Sequence, residues 1–174
     1  MNDNMISPKE LEYLKYVKED YGRKEMVVFD VGGNKGHYTA HVLNFFKNKI
    51  NKVFIFEPVP RFYDIIKNRF DGLEIIETLP FACSDEKTSD HFFEIVSPEN
   101  EDAEGLSSFN KRDVYDNFNY NKIEVNCIKL DDFIGENSID KVHFIKVDTE
   151  GHELSVLKGL KQSCMLLRER FDHF

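Results

Sequence analysis

Three strand-length apolar runs in this chain end in a carboxylate: Met26–Asp30 (MVVFD), Lys52–Glu57 (KVFIFE) and Val142–Asp148 (VHFIKVD). Such runs read as buried strands. An acid at the tip of one is costly unless something pairs with it, so each tip asks for a partner or a ligand. Between the first two runs, His37–Phe46 carries apolar residues at helical spacing; after the second, Pro60 opens a helix whose Phe62, Ile65, Ile66 and Phe70 share one side. Alternation of strand and helix with short links predicts an α/β fold with a mostly parallel sheet and right-handed crossovers. In such a sheet all three acids project at the carboxyl edge, where ligands bind.

The remaining elements fit around that frame. Ser7-Pro8-Lys9-Glu10 has an N-cap, a proline at the first helical position and a Glu three residues after the cap; Leu11, Leu14, Val17 and Tyr21 follow at helical spacing, and Gly22 offers a stop. A helix is therefore expected in residues 1–25, packing on one domain that spans 26–174. Strands are expected over 26–31, 52–57, near 73–79, and over 91–96, 123–130 and 142–147. The last is followed by a helix running to about Lys161. Residues 97–121 are polar and acidic with no sustained period, and read as a solvated loop or a lid; Ser107-Ser108-Phe109 is their least ordinary part.

The first acidic tip leads into Asp30-Val31-Gly32-Gly33-Asn34-Lys35-Gly36. Glycine at 32, 33 and 36 lets the backbone turn sharply and approach something closely. Glu57 lies 21 residues beyond Gly36, the offset of an acid that accepts hydrogen bonds from the ribose hydroxyls of a nucleoside. The run VGGNKG is a poor match to the dinucleotide pattern GxGxxG, and the phosphate-cradling GxxxxGK[ST] is absent. Asp30 beside the turn would repel a pyrophosphate and attract a sulfonium or ammonium group. A ligand that is cationic at one end and a ribose at the other describes S-adenosyl-L-methionine.

Composition narrows the partners. A formal charge of -9 disfavours a general nucleic-acid binder, which needs a basic surface. No apolar run is long enough to span a membrane and the N-terminal residues are polar, so a cytoplasmic location is expected. Cys83, Cys127 and Cys164 lack the density or spacing of a disulfide framework or zinc site and read as small buried apolar residues. His37 and His41 form HxxxH without a third ligand, so no metal is expected.

The segments DVGGNKGHYT, FIFEPVPRFYDII, ACSDEKTSDHFFEI, GLSSF and IKVDTEGHELSVLKGL together resemble, in order over about residues 26–160, the motifs of FkbM-type methyltransferases. The sequence departs from that pattern with Gly33 where Ala is common and Thr88 where Gly is frequent. The resemblance implies a Rossmann-like class I methyltransferase sheet, mostly parallel, with an inserted β-hairpin-like segment. It also implies methyl transfer from S-adenosyl-L-methionine to a hydroxyl of a sugar or secondary metabolite, with a small molecule or glycan as acceptor. The cofactor-binding residues it points to are Asp30, Gly32, Gly33, Asn34, Gly36, Tyr38, Glu57, Ser84, Asp85, Asp148 and Glu150, and it raises Glu153 as a further candidate.

Methyl transfer is an in-line displacement in which the enzyme holds acceptor oxygen, methyl and sulfur collinear. An alcohol must also lose its proton, and the candidate bases are Asp148, His152 and His37. Lys146 reads as support, neutralising Asp148 two residues on. Class I sheets resemble one another in having seven strands, and the thirteen residues QSCMLLRERFDHF after Lys161 are too few for the last three, which are expected to be missing. Strand 142–147 is then an exposed edge, suited to pairing in a homodimer. Rival readings are a non-catalytic S-adenosylmethionine-binding or scaffold protein and, less in keeping with VGGNKG, a nicotinamide-dependent oxidoreductase.

Overall fold

Ser7 and Glu10 cap the first helix reciprocally: the Ser7 amide donates to Glu10 Oε2 at 2.7 Å, and the Glu10 amide donates to Ser7 Oγ at 3.2 Å. The structure, a computed structural model, describes residues 7–21, 25–96, 106–109 and 119–161. Gly22, Cys164, His173, the segment after Lys161 and most of the 97–121 insert lie outside the described residues.

In chain order the elements are α1 (Pro8–Tyr21), β1 (Met26–Val31), α2 (His37–Phe46), β2 (Ile50–Phe56), α3 (Pro60–Arg69), β3 (Ile76–Leu79), β4 (Ala82–Cys83), β5 (Thr88–Val96), β6 (Asn119–Ile128), α4 (Leu130–Glu136), β7 (Phe144–Val147) and α5 (Glu153–Lys158). None of the described helices is long and apolar enough to cross a membrane. The chain divides into two compact units, one within Met1–Pro80 and Lys141–Lys146, the other within Phe81–Asp140 and Val147–Phe174.

The first unit is built on a four-stranded sheet in the order β3-β2-β1-β7, with β1, β2 and β3 parallel. Its central strands are apolar on both faces, as a parallel sheet requires. One face supplies Met26, Val28, Val53 and Ile55 to a core shared with Leu14, Val42, Phe46, Ile66 and Phe144. The other face stacks Phe29 edge-on against Phe54 and Phe56, with ring centroids 5.4 Å apart in each pair. Each fully buried side chain of this size contributes about 1.5–3 kcal/mol. Strand β3 starts later than its apolar residues suggest, because Gly72 (φ +77°) and the bonds Leu73 N–H to Phe70 O and Ile76 N–H to Leu73 O keep 70–75 in turns.

In the second unit β6 pairs antiparallel with β5 and parallel with β4. This ladder is longer than its apolar cores at 91–96 and 123–130 predict, since Thr88–Asp90 and Asn119–Lys122 continue it as polar, largely exposed residues. Antiparallel pairing satisfies those backbone groups without burial. Two elements have too little periodicity to be seen in sequence. Strand β4 has two residues, and α4 has seven with only Leu130 and Phe133 buried. Cys83 and Cys127 are buried, and burial pushes both thiols up, Cys127 to about 11.

Candidate functional site

The glycine turn begins where β1 ends. Gly32 and Gly33 both donate their amides to Phe56 O, at 3.0 and 3.2 Å, and Gly36 donates to Gly33 O at 2.8 Å. Gly32, Asn34 and Gly36 hold φ of +81°, +48° and +75°. Glycine adopts that region freely, and Asn is among the residues that tolerate it. Gly33 is required for a different reason: a Cβ there would run into Ile55 Cγ2 and stand 3.1 Å from Ile66 Cδ1. This explains its departure from the alanine common in the resembling motif. At Gly36 a Cβ would lie 2.8 Å from the Phe70 ring.

Glu57 follows β2 directly and ties the turn down. Its Oε2 accepts the Asn34 amide at 2.7 Å and its Oε1 the Val59 amide at 2.9 Å, in a site where the residue is only 4% exposed. Burial pushes the carboxyl up to about 7, against the lowering effect of those two amides and of Lys146. A carboxylate has about four acceptor positions, so two remain for further donors.

Asp30 is fully buried at 0% exposure. Thr39 donates its hydroxyl to Oδ2 at 2.7 Å, and Lys146 Nζ stands 3.3 Å from Oδ1. That ion pair lacks hydrogen-bond geometry, leaving Oδ1 without a hydrogen-bond partner among the described residues. Lys146 also donates to Gly32 O at 2.9 Å, so one ammonium holds both the strand tip and the turn. Sequence reasoning assigns Lys146 to Asp148; the contacts with Asp30 and Gly32 depend on a pairing of strands far apart in the chain. Thr39 carried no sequence signal. Tyr38 packs with Phe144, and its phenol is raised by burial and by Asp30. His37 Nδ1 lies 3.1 Å from the Arg69 guanidinium, which can only donate, so that lone pair is engaged.

In the second unit Asp148 is exposed and opens a loop in which Glu150 (φ +54°) and Gly151 (φ +101°) are left-handed. Glu153 closes this loop by accepting the Thr149 and Gly151 amides, each at 3.0 Å, and the Thr149 hydroxyl at 3.2 Å. Burial raises the Glu153 carboxyl, but the hydrogen bonds win and its pKa is lowered. His152 sits at the N-cap of α5, with Nε2 3.0 Å from Ser84 Oγ. Ser84 donates in turn to Asp85 Oδ1 at 3.2 Å. The Phe109 ring lies 4.4 Å from the imidazole. Burial lowers the imidazole pKa, opposed by Asp85, Glu153 and Asp90. Gly159 permits this arrangement, because a Cβ there would strike the Ser84 carbonyl oxygen. The convergence of Ser84 and Phe109 on His152 is absent from the sequence reading, although Ser107-Ser108-Phe109 stood out there.

Ser, His and Asp in one chain suggest a hydrolytic triad, but the carboxylate stands beside the serine and not behind the histidine. In a triad the carboxylate orients the imidazole from the side away from the serine; here Asp85 Oδ1 accepts from the Ser84 hydroxyl itself. No group of three or more metal-binding side chains occurs among the described residues.

The Asp30–Gly36 turn with Glu57 fits a nucleoside with a cationic end: Asp30 Oδ1 is an acceptor lacking a hydrogen bond, Glu57 has acceptor positions to spare, and no side chain grows from the turn at 32, 33 or 36.

The Methyltransferase FkbM domain matches residues 30–170. In three dimensions the chain resembles methyltransferase FkbM from Methylobacillus flagellatus KT, with a TM-score of 0.53 and 22% identity over 80% of this chain and 29% of that one. This likeness supports the Rossmann-like class I fold, and the chain spans 29% of the length of that structure. A protein-L-isoaspartate O-methyltransferase matches at 21% identity over 45% of this chain and 26% of that one, with a TM-score of 0.32 that is too low to bear on the fold. No curated protein matches the chain. From the motif-bearing turn at Asp30 to beyond α5, the chain belongs to the FkbM methyltransferase domain family.

Proposed function

We propose that this chain carries an S-adenosyl-L-methionine-dependent methyltransferase domain that methylates a hydroxyl of a sugar or secondary metabolite. The observation that carries the reading is the buried Glu57 carboxylate, hydrogen-bonded to the Asn34 amide of the left-handed glycine turn. It is an acid held at the end of a parallel strand, where a ribose diol would donate to its remaining lone pairs. Gly32, Gly33, Asn34 and Gly36 would take the cofactor against bare backbone, and Asp30, its charge shared with Lys146, would keep the turn favourable to a cation. Tyr38, Ser84, Asp85, Asp148 and Glu150 enter this reading through the family motifs.

When bound, the cofactor supplies a methyl group on a cationic sulfur. The chain's own task is then to orient the acceptor and take its proton. Among the candidate bases His152 suits this best, because burial favours its neutral form, whereas Arg69 already engages His37 Nδ1 and Asp148 is exposed.

Calorimetric titration with S-adenosylmethionine, S-adenosylhomocysteine and NAD tests the cofactor, and transfer of labelled methyl to a panel of glycosides tests the reaction. Binding of NAD in preference to S-adenosylmethionine overturns the reading. Tight S-adenosylmethionine binding with no transfer to any hydroxyl acceptor favours the non-catalytic binding protein instead.

A further inference from the structure

We propose that Ser84, Asp85 and Phe109 are positioning residues that lock the His152 imidazole in its Nε2–H tautomer and leave Nδ1 as the atom that takes the acceptor's proton. The proposal rests on the O-methyltransferase reading above and assigns that reaction's proton to one nitrogen.

The tautomer follows from counting hydrogens. A serine hydroxyl has one proton, and Ser84 gives it to Asp85 Oδ1 at 3.2 Å. For both contacts to be hydrogen bonds at once, Ser84 Oγ meets His152 Nε2, 3.0 Å away, with a lone pair, and Nε2 is the donor. A neutral imidazole carries a single N–H, so Nδ1 holds the free lone pair. Among the described residues Nδ1 has no hydrogen-bond partner. The charged groups around the ring are Asp85, Glu153 and Asp90, with Lys158 Nζ 4.0 Å from Asp85 Oδ2.

Hydrogen bonds fix the tautomer, and packing fixes the ring plane. Phe109 lies against the imidazole at a tilt of 38°, and is itself set edge-on against Phe92, with centroids 5.1 Å apart. The arm that carries Phe109 is pinned at two points. Ser107 Oγ accepts the Ile95 amide at 3.0 Å, and Ser108 exchanges backbone hydrogen bonds of 2.8 and 3.1 Å with Phe93. Ser108 Oγ also donates to Glu150 O at 2.8 Å, joining the arm to the loop that precedes His152. Each residue of Ser107-Ser108-Phe109 thus has a part: one anchors to β5, one to the loop, and one to the imidazole.

The chemical step balances simply. With the cofactor bound, the acceptor oxygen would gain a bond to the methyl carbon while the carbon–sulfur bond broke, its electron pair going to the sulfur of the departing product. The hydroxyl proton passes to Nδ1, giving an imidazolium that loses the proton to water afterwards.

The test uses the full chain labelled with 15N-histidine. Two-bond 1H–15N correlation spectra report which ring nitrogen of His152 carries hydrogen, with His152→Ala giving the assignment. The expected result is Nε2–H in the wild type and a mixture of tautomers in Ser84→Ala, with Ser84→Thr restoring the wild-type pattern. Ser84→Ala and Phe109→Ala should each lower kcat on the order of 10- to 100-fold, part of the 10²- to 10⁴-fold a general base supplies, and Phe109→Ala, outside the cofactor set, should leave the dissociation constant of S-adenosylmethionine unchanged.

An Nδ1–H tautomer in the wild type overturns the proposal, as does a Ser84→Ala variant whose tautomer and turnover match the wild type. Weakened S-adenosylmethionine binding in Ser84→Ala would reassign that residue from positioning to the cofactor. Failure of the underlying reading looks different: the wild type shows the Nε2–H tautomer yet transfers no methyl group, which removes Nδ1 as a base while leaving the ring's geometry as described.

Discussion

The Asn34 amide and the Glu57 carboxylate, 23 residues apart, are joined by a 2.7 Å hydrogen bond that makes the glycine turn and the end of β2 one structural unit. A ligand that leans on Glu57 therefore leans on the turn as well. Truncating the acid should be felt in both.

Replacing Glu57 with Ala removes a charged acceptor from the ribose and the partner of two backbone amides. Hydrogen bonds to charged groups are worth about 1.5–3 kcal/mol, so the dissociation constant of S-adenosylmethionine should rise roughly ten- to hundredfold. Calorimetry on the folded variant checks this, with circular dichroism as the control for folding. Unchanged affinity would remove Glu57 from the cofactor site.

The same residue should give stability an unusual pH dependence. Burial lifts its folded-state pKa to about 7, above the ordinary 4.5. Between those values the folded protein keeps a proton that the unfolded chain has released, so this group's contribution to stability falls as pH climbs from about 4.5 to about 7 and is level beyond. The full effect is about 3 kcal/mol. Urea unfolding at several pH values, compared with Glu57→Gln, should show that slope in the wild type and lose it in the variant. Cofactor affinity should move the opposite way, rising with pH toward neutrality, because donors from a ribose favour the ionised carboxylate.

Gly33→Ala should destabilise the protein by about 1–3 kcal/mol, since its new methyl has nowhere to go but into Ile55 and Ile66. Ile55→Leu removes the branch that obstructs it. The double variant should therefore lose less stability than the two single changes added together, and strictly additive losses in chemical denaturation would show that the clash is relieved elsewhere.

Gly159→Ala meets a backbone carbonyl, that of Ser84, and not a yielding side chain. The cost should exceed that of Gly72→Ala, where φ is +77° but no atom lies within 4 Å and only the left-handed conformation, about 1–2 kcal/mol, is at stake. Melting temperatures of the two variants decide it. Gly159→Ala should also disturb the His152 ring resonances, which Gly72→Ala should leave alone.

What the sequence discloses is whatever is local. The run MVVFDV gives β1 to the residue and His37–Phe46 gives α2, because buried strands and amphipathic helices write their periods into adjacent positions. The acid at the end of β2 and the glycines are legible for the same reason. Lys146 on Asp30, 116 positions away, is not, nor is the meeting of Ser84, Phe109 and His152, whose contacts arise only once β4, β5 and the start of α5 have been assembled. Strand β4 and helix α4 escape notice because two and seven residues are too few to show a repeat.

The ammonium that steadies the turn also sets a timetable. During synthesis β1, α2 and β2 leave the ribosome long before residue 146 does, and until then Asp30 has Thr39 but no counter-ion and Gly32 O lacks its donor. A nascent chain ending near residue 80 would have to bury that carboxylate uncompensated or leave the strand tip open to water, and the second is far cheaper. The contacts that complete the turn in the earliest-made part of the sheet therefore depend on a strand made later.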